Sequence, residues 1–284
     1  MSKYYLLNDR IVPGEEARLH VSDLSILRGY GVFDFFRTHQ GIPLFIDDYI
    51  RRFMRSAELF GLDHPYHPDF IKQKIEELIN LNGYQESGIK LVMTGGYSEN
   101  GYIPTKSNFV ILINDLKLPG TDVYQNGVKI LTHLYTREFP EVKSINYITS
   151  LMLLKKCQEE GAVEVLYHNG EIISELSRSN FFIVKNKVII TPDQGILSGI
   201  TRSKILHLAR EHYEVEERSL RLDEISGADE AFITSTLKRL MPVVKIDNHL
   251  IRDGKPGSVT KDLSRLFSDF EDAYVAGISK NQGA

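Results

Sequence analysis

The chain has 284 residues, 42% hydrophobic and 25% charged, which suits two ordinary globular domains and excludes a disordered polypeptide. A net charge of −4 without a basic stripe lacks the electrostatic footprint of a nucleic-acid binder. A single cysteine, Cys157, rules out an intrachain disulfide and points to a reducing, cytoplasmic setting. No apolar run approaches the ~20 residues needed to cross a membrane, so no membrane partner is expected, and the polar N-terminal stretch does not read as a signal peptide.

Tyr4 to Val12 reads as two short strands around an Asn8-Asp9 turn. Val32 to Thr38 and Ile42 to Phe45 read as a hairpin around Gln40-Gly41. A helix follows with Phe53, Ala57 and Phe60 on one face, capped by Asp47 or Asp48 and ended by Gly61. Pro68 to Leu81 predicts a second helix, and Ile89 to Thr94 and Phe109 to Ile113 two more strands. Between those strands lies a Gly-, Tyr- and Asn-rich loop. Residues 115–122 have linker composition. The expected domains are 1–116 and 123–284, joined by a linker at 117–122.

The second half predicts a strand near Lys129–Thr132 and one helix from Ile148 to Glu160. Hairpins are expected around 168–170 and 185–187, then a helix from Gly199 to about His212. A strand over Ala231–Thr234 and a last helix over Val259–Phe267 complete the reading. Strands dominate and helices do not alternate strictly with them. The expected fold class is therefore α+β, two mixed domains, and not a doubly wound parallel sheet.

Five places could carry chemistry, and each has an ordinary reading beside it. Lys143, in Glu-Val-Lys143-Ser-Ile-Asn-Tyr147, is either a solvated lysine or a Schiff-base amine in a site that lowers its proton affinity. Glu175 ends an apolar strand and Asn180 opens the next. It is either a turn glutamate in water or a buried carboxylate that needs a cationic partner. Ser198-Gly199-Ile200-Thr201-Arg202 is either an N-cap or an anion site at a helix N-terminus. Thr234-Ser235-Thr236 is either a strand end or a pair of phosphate hydroxyls. Arg51-Arg52, on the first helix, reads as solvated charge.

In this order the motifs resemble the fold-type IV pyridoxal 5'-phosphate (PLP) enzymes. This family holds the branched-chain and D-amino acid aminotransferases and the 4-amino-4-deoxychorismate lyases. Gly29-Tyr-Gly-Val-Phe-Asp-Phe-Phe-Arg37, Arg52-Phe-Met-Arg-Ser-Ala57, Lys143-Ser-Ile-Asn-Tyr147, Glu175 with Ser-Asn180-Phe-Phe, Leu197-Ser-Gly-Ile200-Thr201-Arg202 and Thr234-Ser-Thr236 carry the likeness. The resemblance implies PLP on Lys143 and a pyridine-nitrogen contact at Glu175. It implies phosphate contacts at Arg52, Ile200, Thr201, Ser235 and Thr236, and a cofactor-oxygen contact at Tyr147. Phe33, Arg37, Tyr97 and the Leu237 amide are the implied substrate contacts, with an Arg37–Asp34 ion pair as the other reading of Arg37. No metal is implied.

The implied reaction is exchange of an amino group between an amino acid and a 2-oxo acid. L-amino acids, branched-chain ones included, are the expected substrates, because the loop 95–102 carries neither the arginine nor the histidine of the D-amino acid branch. The alternative is the lyase that releases pyruvate from aminodeoxychorismate, disfavoured by Phe35 where that branch places a hydroxyl. The family also implies a homodimer, with Tyr30, Phe33, Phe35 and Phe36 as candidate apolar surface.

Overall fold

The computed structural model of the chain describes residues 3–282, with side chains up to residue 278. Two compact units emerge. The first holds the chain up to Lys117, the segment Val142–Asn146 and the residues from Tyr274 on. The second holds Leu118–Glu141 and Tyr147–Ala273.

In the first unit the described strands are β1 (Tyr4–Leu7), β2 (Arg10–Pro13), β3 (Gly31–His39), β4 (Ile42–Pro43), β5 (Ser87–Thr94) and β6 (Phe109–Asp115). They form one sheet in the order β2-β1-β6-β5-β3-β4. Its helices are α1 (Leu24–Arg28), α2 (Ile46–Leu59) and α3 (Pro68–Asn82). Alternation along the strands sorts the side chains by face. Val32, Asp34 and Phe36 of β3, Ile89, Leu91 and Met93 of β5, and Phe109, Ile111 and Ile113 of β6 are fully buried. Phe53 and Ala57 of α2 and Ile71, Ile75 and Leu78 of α3 are buried with them. The opposite face carries Phe33, Phe35, Lys90, Val92 and Leu112, all half-buried. Register sets these side by side: Phe33 pairs with Val92, Phe35 with Lys90, and Lys90 with Leu112.

The second unit contains α4 (Asp122–Asn126), β7 (Val128–Leu134), α5 (Ile148–Met152), α6 (Leu154–Glu159), β8 (Ala162–His168), β9 (Ile172–Leu176), β10 (Asn180–Lys185) and β11 (Val188–Thr191). It continues with α7 (Ile200–Arg210), β12 (Val215–Glu217), β13 (Leu220–Arg221), β14 (Glu230–Ser235), β15 (Arg239–Ile246) and β16 (His249–Leu250). The helix α8 (Ser258–Gln282) follows. The sheet runs β12-β11-β10-β14-β15-β7-β8-β9-β13, with β16 on β15. One face builds a core from Leu166, Ile173, Phe181, Ile183, Ile233 and Met241 among others. On β10 and β14 the rings of Phe182 and Phe232 stack at 4.6 Å, and α7 packs against β14. The β10–β11 turn holds Asn186 and Lys187 at φ 50 and 65, the doubly positive pair that a tight hairpin requires.

The architecture is the α+β pair expected from the sequence, with four departures. Lys143 was assigned to the C-terminal domain, yet Val142–Asn146 belongs to the first unit. The cause is strand-like pairing: Phe33 N–H donates to Lys143 O (2.9 Å), Ile145 N–H donates to Gly31 O (3.1 Å), and Ser144 bridges Val32. The first unit also takes the residues from Tyr274, whose ring packs at 4.7 Å from that of Phe45. The helix expected over Ile148–Glu160 is two helices broken at Leu153. β15 runs through Pro242, which opposes Phe232 on β14, and its pairing with β7 begins at the next residue, Val243.

Phe36 is wholly buried and cannot offer the apolar surface assigned to it. The second unit instead exposes Ile148 (65%), Leu151 (68%) and Met152 (77%) on α5. Among the described residues no helix is long and apolar enough to cross a membrane.

Candidate active site

In the first unit, Lys143 lies half-buried against the aromatic face of the sheet. Its backbone N–H donates to Ser56 Oγ of α2 (3.2 Å), and its Nζ stands 4.7 Å from the centre of the Phe33 ring. Arg52, one turn earlier on α2, is held by a two-pronged pair with Asp34: Nη2 to Oδ1 is 2.6 Å and Nε to Oδ2 is 2.8 Å. Asp34 is fully buried and Arg52 12% exposed. A planar fork fixed in this way presents its remaining N–H groups in a set direction, as phosphate recognition needs.

Arg37 does not pair with Asp34. It is 3% exposed, donates to Thr38 O and lies 3.9 Å from Glu86. Phe33 and Arg37 share a face of β3 but sit four residues apart, roughly 13 Å. Tyr97 is 40% exposed on the loop after β5, edge-on to His20.

Lys90 was not singled out in the sequence. Its Nζ stands 5.5 Å from the same Phe33 ring that Lys143 faces. Burial, and then the charge of Lys143, hold its ammonium below the ordinary lysine range. Among the described residues no carboxylate pairs with it. A charged position inside the apolar run Ile89-Lys-Leu-Val-Met-Thr94 was the signal available in the sequence.

In the second unit, Glu175 is the penultimate residue of β9, with its side chain 5% exposed. Its Oε1 accepts from Arg137 Nη1 at 2.6 Å, and its Oε2 accepts from the Leu197 amide at 2.9 Å and from Asn180 Nδ2 at 3.4 Å. Asn180 in turn donates to Leu197 O at 2.9 Å. The carboxylate that the sequence left between water and burial is thus buried, ionic and anchored on both oxygens. Arg137 is a second residue that the motifs did not reveal.

Gly199 caps α7 without a side chain, leaving the first-turn N–H groups of Ile200 and Thr201 without an N-cap side-chain acceptor. A Cβ at Gly199 would stand 2.0 Å from Asn180 Oδ1, so only glycine lets the helix start come this close to Asn180. Asn180 is cross-strand from Thr234, whose Oγ1 is buried with no partner among the described residues. The β14–β15 turn after Ser235 is pinned by Lys238 N–H donating to Ser235 Oγ (3.2 Å), which leaves Ser235, Thr236 and Leu237 half-buried. Amides at a helix start, hydroxyls at a strand end and an orphaned threonine oxygen are the donor set an organic phosphate requires. A buried carboxylate, in turn, suits a protonated ring nitrogen.

Two cations that follow this turn are engaged in ion pairs. Lys238 Nζ is 2.9 Å from Glu164, and Arg239 Nη2 is 2.8 Å from Glu271. Tyr147 is half-buried at the start of α5.

The model of the family described as amino-transferase class IV matches residues 31–246. A Methanocaldococcus jannaschii protein provisionally named branched-chain-amino-acid aminotransferase is 33% identical, over 93% of this chain and 94% of that one. The D-alanine aminotransferase of Bacillus licheniformis is 31% identical, over 91% and 93%. The crystal structure of the branched-chain amino acid aminotransferase of Thermobaculum terrenum in its PLP form superposes with a TM-score of 0.85 at 27% identity, covering 96% of this chain and 95% of that one.

Proposed function

The chain belongs to the class IV aminotransferases, and from that membership we propose how its residues divide the work of a PLP-dependent amino-group transfer. The cofactor, when bound, supplies the electron sink that stabilises negative charge at the substrate's α-carbon. Lys143 would be the residue that carries it and the base that moves the substrate's α-proton. Glu175, paired with Arg137, would hold a proton on the ring nitrogen. Arg52, the Ile200 and Thr201 amides, Ser235 and Thr236 hold the phosphate, and Tyr147 the ring oxygen.

The observation that carries this reading is the buried, doubly anchored carboxylate of Glu175. Three donors, Arg137 among them, fix this carboxylate in the interior in one orientation, as a contact to a protonated ring nitrogen requires.

For the substrate's carboxylate we assign Lys90 in place of Arg37. Lys90 is a half-buried cation on the face that holds Phe33 and Lys143, whereas Arg37 is turned to Glu86 and Thr38. Phe33 packs against the substrate, and Tyr97 and the Leu237 amide complete the contacts. Lys90 also supplies from the strand the positive charge missing from the loop 95–102, so that absence carries no stereochemical weight. The two relatives named above divide between D-alanine and branched-chain names. Handedness is therefore the first variable of the test, with L-amino acids the first arm.

The test is a spectroscopic panel. Purified yellow enzyme is mixed with D- and L-amino acids, and conversion to the pyridoxamine form is followed, then reversed with 2-oxo acids. Conversion by at least one common amino acid, reversed by its oxo acid, is expected. Pyruvate release from aminodeoxychorismate with no such conversion would replace transfer by the lyase reaction.

We also propose a homodimer in the cytoplasm. Ile148, Leu151 and Met152, three exposed apolar side chains on one short helix, support a symmetric contact.

A further inference from the structure

Glu164, on β8, is a buried acid that none of the roles above uses. Its side chain is 1% exposed. Oε2 accepts from Ser179 Oγ at 2.6 Å and lies 2.9 Å from Lys238 Nζ. Oε1 accepts from Ser177 Oγ at 3.0 Å and lies 3.6 Å from Arg178 Nε. Lys238 Nζ also reaches Ser179 Oγ at 3.4 Å.

Every partner lies on one of two turns. Residues 177–179 join β9, which holds Glu175 next to its last residue, to β10, which begins with Asn180. Lys238 closes the turn that presents Ser235, Thr236 and Leu237, with its N–H on Ser235 Oγ and its carbonyl receiving Tyr124 Oη at 3.3 Å. Burial alone would push the Glu164 carboxyl up. The charges of Lys238 and Arg178 and the Ser179 hydroxyl outweigh that and hold it below the usual carboxylate range. The centre is therefore ionic, and it links the turn beside the ring-nitrogen contact to the turn of the phosphate and carboxylate contacts.

We propose that Glu164 and Lys238 are positioning residues for the reaction: a buried ion pair that locks the 235–238 turn onto the Glu175 hairpin and so sets the spacing of the phosphate and substrate contacts. The inference rests on the reading of that turn as a contact. A purely structural ion pair would affect unfolding and leave binding alone. A positioning pair must affect binding in a protein that is still folded.

Three variants separate these roles. Lys238→Met removes the cation. Glu164→Gln with Lys238→Met removes both charges together, so no unpaired charge stays buried and the fold is preserved. Lys238→Arg restores the charge. Each is measured for thermal unfolding, for PLP affinity by absorbance titration, and for KM and kcat. The double variant is expected to unfold near the parent temperature. It should bind PLP more weakly and show KM for amino acid and oxo acid raised between about tenfold and a hundredfold, the cost of a contact misplaced by about 1 Å. Lys238→Arg should recover most of the loss.

Parent-like PLP affinity and KM in Lys238→Met or in the double variant would overturn the proposal. So would unfolding of both while Lys238→Arg is unaltered, which makes the pair structural only. Thr236→Ala is the control for the underlying reading. If it leaves PLP affinity unchanged, the assignment of the turn as a contact fails, whatever the ion pair does.

Discussion

Arg137 Nη1 stands 2.6 Å from Glu175 Oε1, in a pair whose side chains are 16% and 5% exposed. Removing one partner of such a buried pair strands the other charge. Arg137→Met is expected to cost about 3–5 kcal/mol in urea unfolding. Glu175→Gln also leaves the Arg137 charge unpaired and turns an NH2 toward one of the donors, so it too should lose stability and is assayed at a temperature where it stays folded. It should slow turnover by about a hundredfold or more, as loss of a preorganised electrostatic contact does. Near-parent rates in Glu175→Gln would remove Glu175 from the ring-nitrogen role.

Lys143 Nζ stands 4.7 Å from the centre of the Phe33 ring, a contact worth about 0.5–1 kcal/mol at a partly exposed site. Lys143→Ala should fold, with an unfolding midpoint close to the parent, and have no measurable turnover. Borohydride reduction of the parent followed by peptide mapping should label Lys143. Label on another lysine, Lys90 included, would reassign the cofactor.

Gly199→Ala would place a methyl group 2.0 Å from Asn180 Oδ1, on the start of α7. The helix start must shift, and the Ile200 and Thr201 amides with it. PLP affinity is expected to fall by about tenfold or more, with far-ultraviolet circular dichroism unchanged, because the helix interior is untouched. Equal affinity would show that those amides do not bind the phosphate.

Lys90 gives a pH signature. Its folded-state proton affinity lies below the usual lysine value, first through burial and then through the charge of Lys143. The protonated form is the one that binds a carboxylate. KM should therefore rise on the alkaline side, beginning below the pH at which an exposed lysine titrates. For stability the sign is opposite: the folded state releases this proton before the unfolded chain does, so this site's contribution grows as pH climbs between the two values. Lys90→Arg should move the rise in KM to higher pH. Lys90→Met should raise KM at all pH values and erase the alkaline rise, and an unchanged KM profile in that variant would withdraw the assignment.

For assembly, light scattering should give twice the mass of one chain. Leu151→Glu with Met152→Lys, on the exposed face of α5, should give monomers that keep their circular dichroism. A parent that is monomeric and fully active would end the dimer proposal.

Lys143, Glu175 and the start of α7 were legible because each sits in a short contiguous motif bounded by turn residues. Arg137 was not. It lies 38 residues from Glu175, in a stretch that reads as surface, and its role depends on how the chain returns. The Arg37–Asp34 pair is not formed for a related reason: alternation puts Asp34 on the face toward α2, where Arg52 takes it. Hairpins with turn signals were visible, such as β10–β11. β15, with a proline inside, was not, because a proline within a run argues against a central strand.

The pairing of residues 143–145 with Gly31 and Phe33 has a consequence for synthesis. A strand flank with unpaired N–H and C=O groups invites pairing with another chain. At that end of β3 the flank is covered by the stretch carrying Lys143, which leaves the ribosome well after the β1–β6 sheet is complete. The nascent first half must therefore wait with an open edge. A product truncated after the linker would keep that edge uncovered and is expected to aggregate, and a synthetic peptide spanning 140–147 should suppress the aggregation.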